Sequence, residues 1–241
     1  KMSLMDINKM FSLLQPRDEE EDSGESEELS RAVCEDDHET LDRLLSQDRY
    51  KRLINRRSGW GVPSTPLRLA ATWGCVRSLR VLLAHGAANV QARLPEWAAN
   101  SVACSGPLYL AAAYGHLECF RLLLLHGADP DYNCTEQGVL AQIREPKTLL
   151  ETCLRHGCHS DFIRLLIDFG ANVYLPSLPR DGAAPRSEGL ELLLQARAHP
   201  KSLLSQSRLA MRRLLKQPGC PAALGELEIP TVLAKYLQHQ P

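Results

Sequence analysis

The chain has 241 residues, 44% of them hydrophobic and 24% charged, with a formal net charge of -1 at pH 7. That length suits one or two globular units, and so balanced a charge excludes a global field for nucleic acid or an anionic membrane. Aromatic residues make up only 5% while leucine and alanine abound, so the expected fold is all-α, packed through aliphatic contacts.

Residues 1–28 read as an amphipathic opening and an acidic linker. Met5, Ile7, Met10, Phe11, Leu13 and Leu14 supply an apolar face expected to pack on the first folded unit, and the run from Arg17 to Glu28 is dense in carboxylates. Such a run reads as a solvated, disordered linker, with an electrostatic arm that attracts a basic substrate as the alternative. No apolar stretch reaches the roughly 18 residues of a membrane span, and the opening lacks a basic flank and a small-residue cleavage site, so an intracellular, cytoplasmic protein is expected. The eight cysteines form no C-x-x-C pair, which favours reduced, packed thiols over disulfides. Cys153, His156, Cys158 and His159 crowd together, but their spacing does not suit a paired zinc knuckle. Neither metal nor cofactor is expected.

Three segments then share one template, beginning at Thr65, Gly106 and Thr148. This internal repetition outweighs any single residue. The opening residues suit a helix N-cap, and Pro66 and Pro107 fall at the first helical position, where a missing N–H costs nothing. Small residues come next at Ala70, Ala71, Ala111 and Ala112, as a close-packed inner helix needs. Gly74, Gly115 and Gly157 mark a tight turn into an outer helix. Its apolar positions recur at helical spacing: Leu79, Leu82 and Leu83; Leu117, Phe120, Leu123 and Leu124; Phe162, Ile163, Leu165 and Leu166. Gly86, Gly127 and Gly170 close the three units. His85 and His126 precede two of these glycines and are read as structural, completing the last helical turn.

The repeat boundaries are expected at about 65–90, 106–132 and 148–173. A weaker copy at about 29–60 keeps Leu29, Ala32, Leu41, Leu44 and Leu45, with Asp36 at the turn glycine position, and is expected to cap the array. A degenerate helix at about 188–198, with Leu190, Leu193 and Leu194 facing inward, is expected to cover its other end. Long connections carry Trp97 and Tyr132, which are candidate contact residues because a rigid stack holds such loops in place.

The repeats, "TPLRLAA" and "GPLYLAAAYGHLECFRLLLLHGAD" above all, resemble the ankyrin repeat. The resemblance implies stacked helix pairs with loops projecting to one side and a surface that binds proteins. It places an ankyrin-repeat solenoid at about 29–198.

The remaining residues, 199–241, form a small module. From about Lys201 to Lys216 a helix is expected, with Leu203, Ser207, Ala210, Met211 and Leu214 on one stripe and arginines elsewhere. A break at Pro218, Gly219 and Pro221 separates it from "LGELEIPTVLAKYL". So small a unit cannot bury its apolar face alone, so it reads as a docking element completed by another protein.

The segment "SLLSQSRLAM" resembles the elongin-binding box of the suppressor-of-cytokine-signalling (SOCS) box. Leu203, Ser207 and Met211 stand at its core positions, with serine where cysteine is usual, and Leu214 extends the stripe. The downstream segment resembles the cullin box: Leu227, Ile229, Pro230, Leu233, Tyr236 and Leu237 match, and Glu228 replaces the first proline. Together the two resemblances match the ankyrin-repeat and SOCS-box family. They imply a substrate adaptor in which elongins B and C dock on the box, cullin-5 joins with its RING partner, and the repeats hold a target. No catalytic constellation or phosphate-cradling loop is present, so the chain is not expected to be an enzyme. A non-ligase ankyrin scaffold whose box has eroded at Ser207 and Glu228 is the alternative.

Overall fold

The computed structural model describes residues 23–56, 64–87, 106–131, 148–174, 187–215 and 229–238. The array contains α1 (Ser23–Cys34), α2 (His38–Leu45), the single turn α3 (Asp48–Lys51), α4 (Pro66–Trp73), α5 (Val76–Ala84), α6 (Pro107–Ala113), α7 (Leu117–Leu125), α8 (Leu149–His156), α9 (Ser160–Asp168) and α10 (Glu188–Ala198). The C-terminal module contributes α11 (Leu203–Leu215) and α12 (Thr231–Leu237). Among the described residues there is no β-strand, and no helix is long and apolar enough to cross a membrane.

The repeat helices begin as the sequence predicts. The hydroxyl oxygens of Thr65 and Thr148 accept the N–H groups of Arg68 and Glu151 at 3.3 and 3.0 Å, and Pro66 and Pro107 open α4 and α6. Inner helices α1, α4, α6 and α8 stack side by side, as do outer helices α2, α5, α7 and α9. One continuous core runs between the rows through Leu41, Leu79, Leu82, Phe120, Ile163 and Leu166. Leu122, absent from the expected apolar stripe, is buried as well.

Polar ties link each repeat to the one before. The residue after each inner turn reaches back to a carbonyl of the preceding inner helix: Cys75 Sγ to Cys34 at 3.8 Å, His116 Nε2 to Thr72 at 3.0 Å, and Cys158 Sγ to Ala112 at 3.9 Å. Glycine is required at Gly74 for two reasons. Its φ is +73°, and a Cβ there would lie 2.4 Å from Nδ1 of His116. His126 Nδ1 donates to the Leu122 carbonyl at 2.9 Å, whereas His85 pairs with the Asp42 carboxylate at 2.7 Å.

In the first copy Asp36 takes the turn glycine's place at φ +51°, a conformation aspartate tolerates better than most residues. Its carboxylate accepts the Ser78 N–H at 2.8 Å and the Arg77 Nε–H at 3.1 Å. Burial works to raise this carboxyl, but those bonds outweigh it and hold the group below its ordinary value. A depressed carboxyl stabilises the fold above its unfolded pKa, and that contribution is lost as pH falls through the folded value. Asp36→Asn is therefore expected to cost about 1 kcal/mol at pH 7. The gap between variant and wild type in urea denaturation should shrink as pH falls below the ordinary carboxylate range; a gap independent of pH would show that the charge is irrelevant.

Two sequence expectations are corrected. The acidic run is not wholly a linker, because α1 starts at Ser23 and its carboxylates find partners far along the chain. Glu25 pairs with Arg49 and Arg52, and Glu28 accepts the Tyr50 hydroxyl. In α10, Leu193 is fully buried but Leu194 is exposed. The helix instead approaches on Gly189, where a Cβ would sit 2.2 Å from Ile163 Cδ1, and this close contact rotates Leu194 outward.

Candidate docking site in the C-terminal module

Helix α11 is amphipathic in the reverse sense to a surface helix of a complete globule. An ordinary surface helix turns its apolar stripe to the core and its charges to water. Here Leu203 is 81% exposed, Leu204 59%, Met211 40% and Leu214 52%, whereas Arg208 is only 7% exposed. Ser207 lies exposed within the apolar stripe, as the sequence spacing predicts.

The inward face of α11 explains this orientation. Lys201 Nζ donates to the Ile167 carbonyl at 3.2 Å, and Arg208 lies 3.5 Å from the Asp168 carboxylate. These cations meet the C-terminal end of α9, where free carbonyls and the helix dipole favour positive charge. The Arg212 guanidinium stacks 3.8 Å from the centre of the Phe169 ring, a contact worth about 0.5–2 kcal/mol. Burial, aided by the like charge of Arg208, lowers Arg212 to about 10, so it remains charged at neutral pH. Leu209 supplies the apolar part of the seat against Gly170.

Helix α12 is fastened by the same arginines. Arg208 lies over the Tyr236 ring at 4.5 Å, Arg212 donates to the Leu237 carbonyl, and Arg121 of α7 donates to the Gln238 carbonyl at 2.7 Å. Arg121 is itself held by Glu118, whose carboxyl the Arg121 hydrogen bonds keep below its ordinary range. Three guanidinium groups thus gather the end of α12 onto the array.

The predicted site residues therefore fall into two groups. Leu203, Ser207, Met211 and Leu214 share one outward face, and Pro230 and Leu233 also point outward, with Ile229 half-buried. Tyr236 is half-buried under Arg208, and Leu237 is 3% exposed, so Leu237 cannot touch another protein while α12 stays docked. Leu227, Trp97 and Tyr132 lie outside the described residues. Sequence reasoning missed Leu204 and Val232 on the exposed face, and Trp73 and Tyr174 as exposed aromatics of the array. Apolar type alone could have flagged the first two.

Arg212→Ala is expected to loosen α12 without touching the outward face of α11. Amide exchange across Thr231–Gln238 should quicken about tenfold, as loss of a charge-assisted hydrogen bond implies. Unchanged exchange would mean that α12 is held by other contacts.

A family model for ankyrin repeats, in three copies, matches residues 29–135, and one for the SOCS box matches residues 199–238. Ankyrin repeat and SOCS box protein 12 of Homo sapiens is 50% identical over an alignment of 308 residues, covering 99% of this chain and 100% of that protein. The chain belongs to the ankyrin-repeat and SOCS-box family. The Mus musculus protein of the same name is 48% identical with the same coverage. Human ankyrin repeat and SOCS box protein 1 is 35% identical over 123 residues, 47% of this chain and 36% of that protein. The repeat match ends before Thr148, yet α8 and α9 form a further helix pair of the same pattern. As a member of the ankyrin-repeat and SOCS-box family, the chain is a substrate adaptor for a cullin-RING ubiquitin ligase, with the box recruiting ligase subunits.

Proposed function

We propose that this chain is the substrate-recognition subunit of an elongin B/C–cullin-5–RING ubiquitin ligase acting in the cytoplasm. The observation that carries the reading is the outward apolar stripe of α11. Elongin C is the partner that covers Leu203, Ser207, Met211 and Leu214, and elongin B joins through elongin C. Cullin-5, with its RING protein, contacts the second segment through Leu227, Ile229, Pro230 and Leu233, joined by exposed Val232. Tyr236 and Leu237 serve that contact from beneath by fixing the angle of α12.

Target proteins bind the repeats through Trp97 and Tyr132 and through Trp73, which is exposed. The chain contributes no bond-making step. Holding a target lysine near a ubiquitin-charged conjugating enzyme raises the effective concentration of the two reactants, which is sufficient for an adaptor. Ubiquitinated targets would then pass to the proteasome.

Affinity purification from cells, with and without proteasome inhibition, tests this reading. Elongins B and C and cullin-5 are expected in both samples, and target proteins should accumulate on the bait under inhibition. Recovery of neither elongins nor cullin-5 would favour a plain ankyrin scaffold whose box has eroded at Ser207 and Glu228.

A further inference from the structure

The inner helices of three successive repeats end in the same hydrogen-bonded turn. The N–H of Cys75 reaches the Ala70 carbonyl at 3.0 Å, that of His116 the Ala111 carbonyl at 2.8 Å, and that of Cys158 the Cys153 carbonyl at 2.9 Å. In a helix end of this kind the residues at the two ends of the bond are neighbours in space, and a contact between their side chains is frequent. The first two repeats place an alanine at the inner position. The third places cysteine at both, and the Cys153 thiol hydrogen-bonds to the Cys158 sulfur. Cys153 is buried, whereas Cys158 is partly open to solvent. We propose that Cys153 and Cys158 form a redox-active dithiol, closing to a reversible disulfide across the turn of the third repeat.

The chemistry divides between the two sulfurs. The proton that Cys158 Sγ presents to the Ala112 carbonyl is the one to be lost, and the hydrogen bond from Cys153, working against burial, lowers Cys158 and so favours its thiolate. The same bond, with burial, raises Cys153 above the ordinary thiol range. With hydrogen peroxide as oxidant, the Cys158 thiolate attacks one oxygen, the O–O bond breaks and hydroxide leaves, giving a sulfenic acid. The Cys153 sulfur then attacks the sulfenic sulfur. An S–S bond forms, the S–O bond breaks, and the hydroxyl departs with the Cys153 proton as water. The hydroxide takes up the proton first lost from Cys158. Two thiols are thereby oxidised by two electrons and one peroxide becomes two waters.

The reaction is selective among the described cysteines. Burial pushes Cys75 up to about 11 and Cys119 up to about 12, so both stay protonated and inert. Burial also raises Cys34, which lies on the first helix away from this pair.

Trypsin provides a direct readout. It cuts after Lys147, Arg155 and Arg164, placing Cys153 in peptide 148–155 and Cys158 in peptide 156–164. The full chain is treated with hydrogen peroxide at pH 7, its remaining thiols are blocked with N-ethylmaleimide, and it is digested without reduction. The expected product is the two peptides joined, with the loss of two hydrogens, separating again on treatment with dithiothreitol. Cys153→Ala, which copies Ala70 and Ala111 of the other repeats, should melt as wild type does, lose the joined product and leave a sulfenic acid on Cys158 that dimedone traps. Recovery of both peptides as separate N-ethylmaleimide adducts would overturn the proposal, as would Cys158 joined to any cysteine other than Cys153.

Discussion

Leu203→Asp is expected to abolish capture of elongins B and C while leaving the melting temperature of the isolated chain unchanged. Both halves of this result have one origin: Leu203 is 81% exposed and supports nothing within its own chain. Substitution of a surface side chain away from buried contacts shifts stability by less than about 0.5 kcal/mol. In the complex the same position loses an apolar contact and gains a buried, unpaired carboxylate, a cost of roughly 3 kcal/mol, or about a hundredfold in affinity. Ser207→Cys should act in the opposite direction. Removing a hydroxyl from the middle of an apolar stripe is expected to tighten elongin binding by about fivefold, corresponding to about 1 kcal/mol. Titration calorimetry with purified elongin B/C measures both changes. A loss of folding in Leu203→Asp would show that the stripe serves its own chain.

Phe120→Ala is expected to have the largest effect on stability. The ring is fully buried and meets Phe162 of the next outer helix edge-on at a centroid distance of 5.1 Å. Truncation removes this pair and leaves a cavity between two repeats, at a cost of about 3–5 kcal/mol. Because stability in a stacked array depends on the interfaces between neighbouring repeats, the loss should appear as a lower urea midpoint. Arg121, which grips the end of α12, is the next residue on the same helix. The module should therefore loosen along with the array. A cost below 1 kcal/mol would mean that the outer row is not one continuous core.

Much of the array could be read from sequence because its rules are local. Threonine or glycine before proline, small residues on one helix and leucines at helical spacing on the next each act within a few residues. Asp36 was placed correctly by its position in the template, and the structure adds the long-range reason, the Ser78 N–H that its carboxylate accepts. The misses have long-range causes. The folding of Glu25 and Glu28 into α1 depends on Arg49, Arg52 and Tyr50, more than 20 residues away. The rotation of α10 depends on Gly189 meeting Ile163, whereas its run of leucines offered several equivalent faces.

The docking stripe of Leu203, Met211 and Leu214 was legible as a pattern and, because so small a unit cannot bury its own apolar face, as a surface left for a partner; the contacts that orient it were not. Periodicity identifies an apolar face without saying what covers it. The direction depends on Arg208 and Arg212 finding Asp168, Phe169 and Tyr236, contacts no spacing rule anticipates. The same contacts turn Leu237 from the expected outward position to a buried one.

Hydrogen exchange on the full chain, alone and mixed with purified elongins B and C, tests the adaptor reading most directly. The expected result is a stable three-protein complex in which the amides of residues 203–215 are slowed while those of α4 to α7 are unchanged. Elongins that elute apart from the chain, or a complex that leaves residues 203–215 exchanging as in the free protein, would contradict that reading.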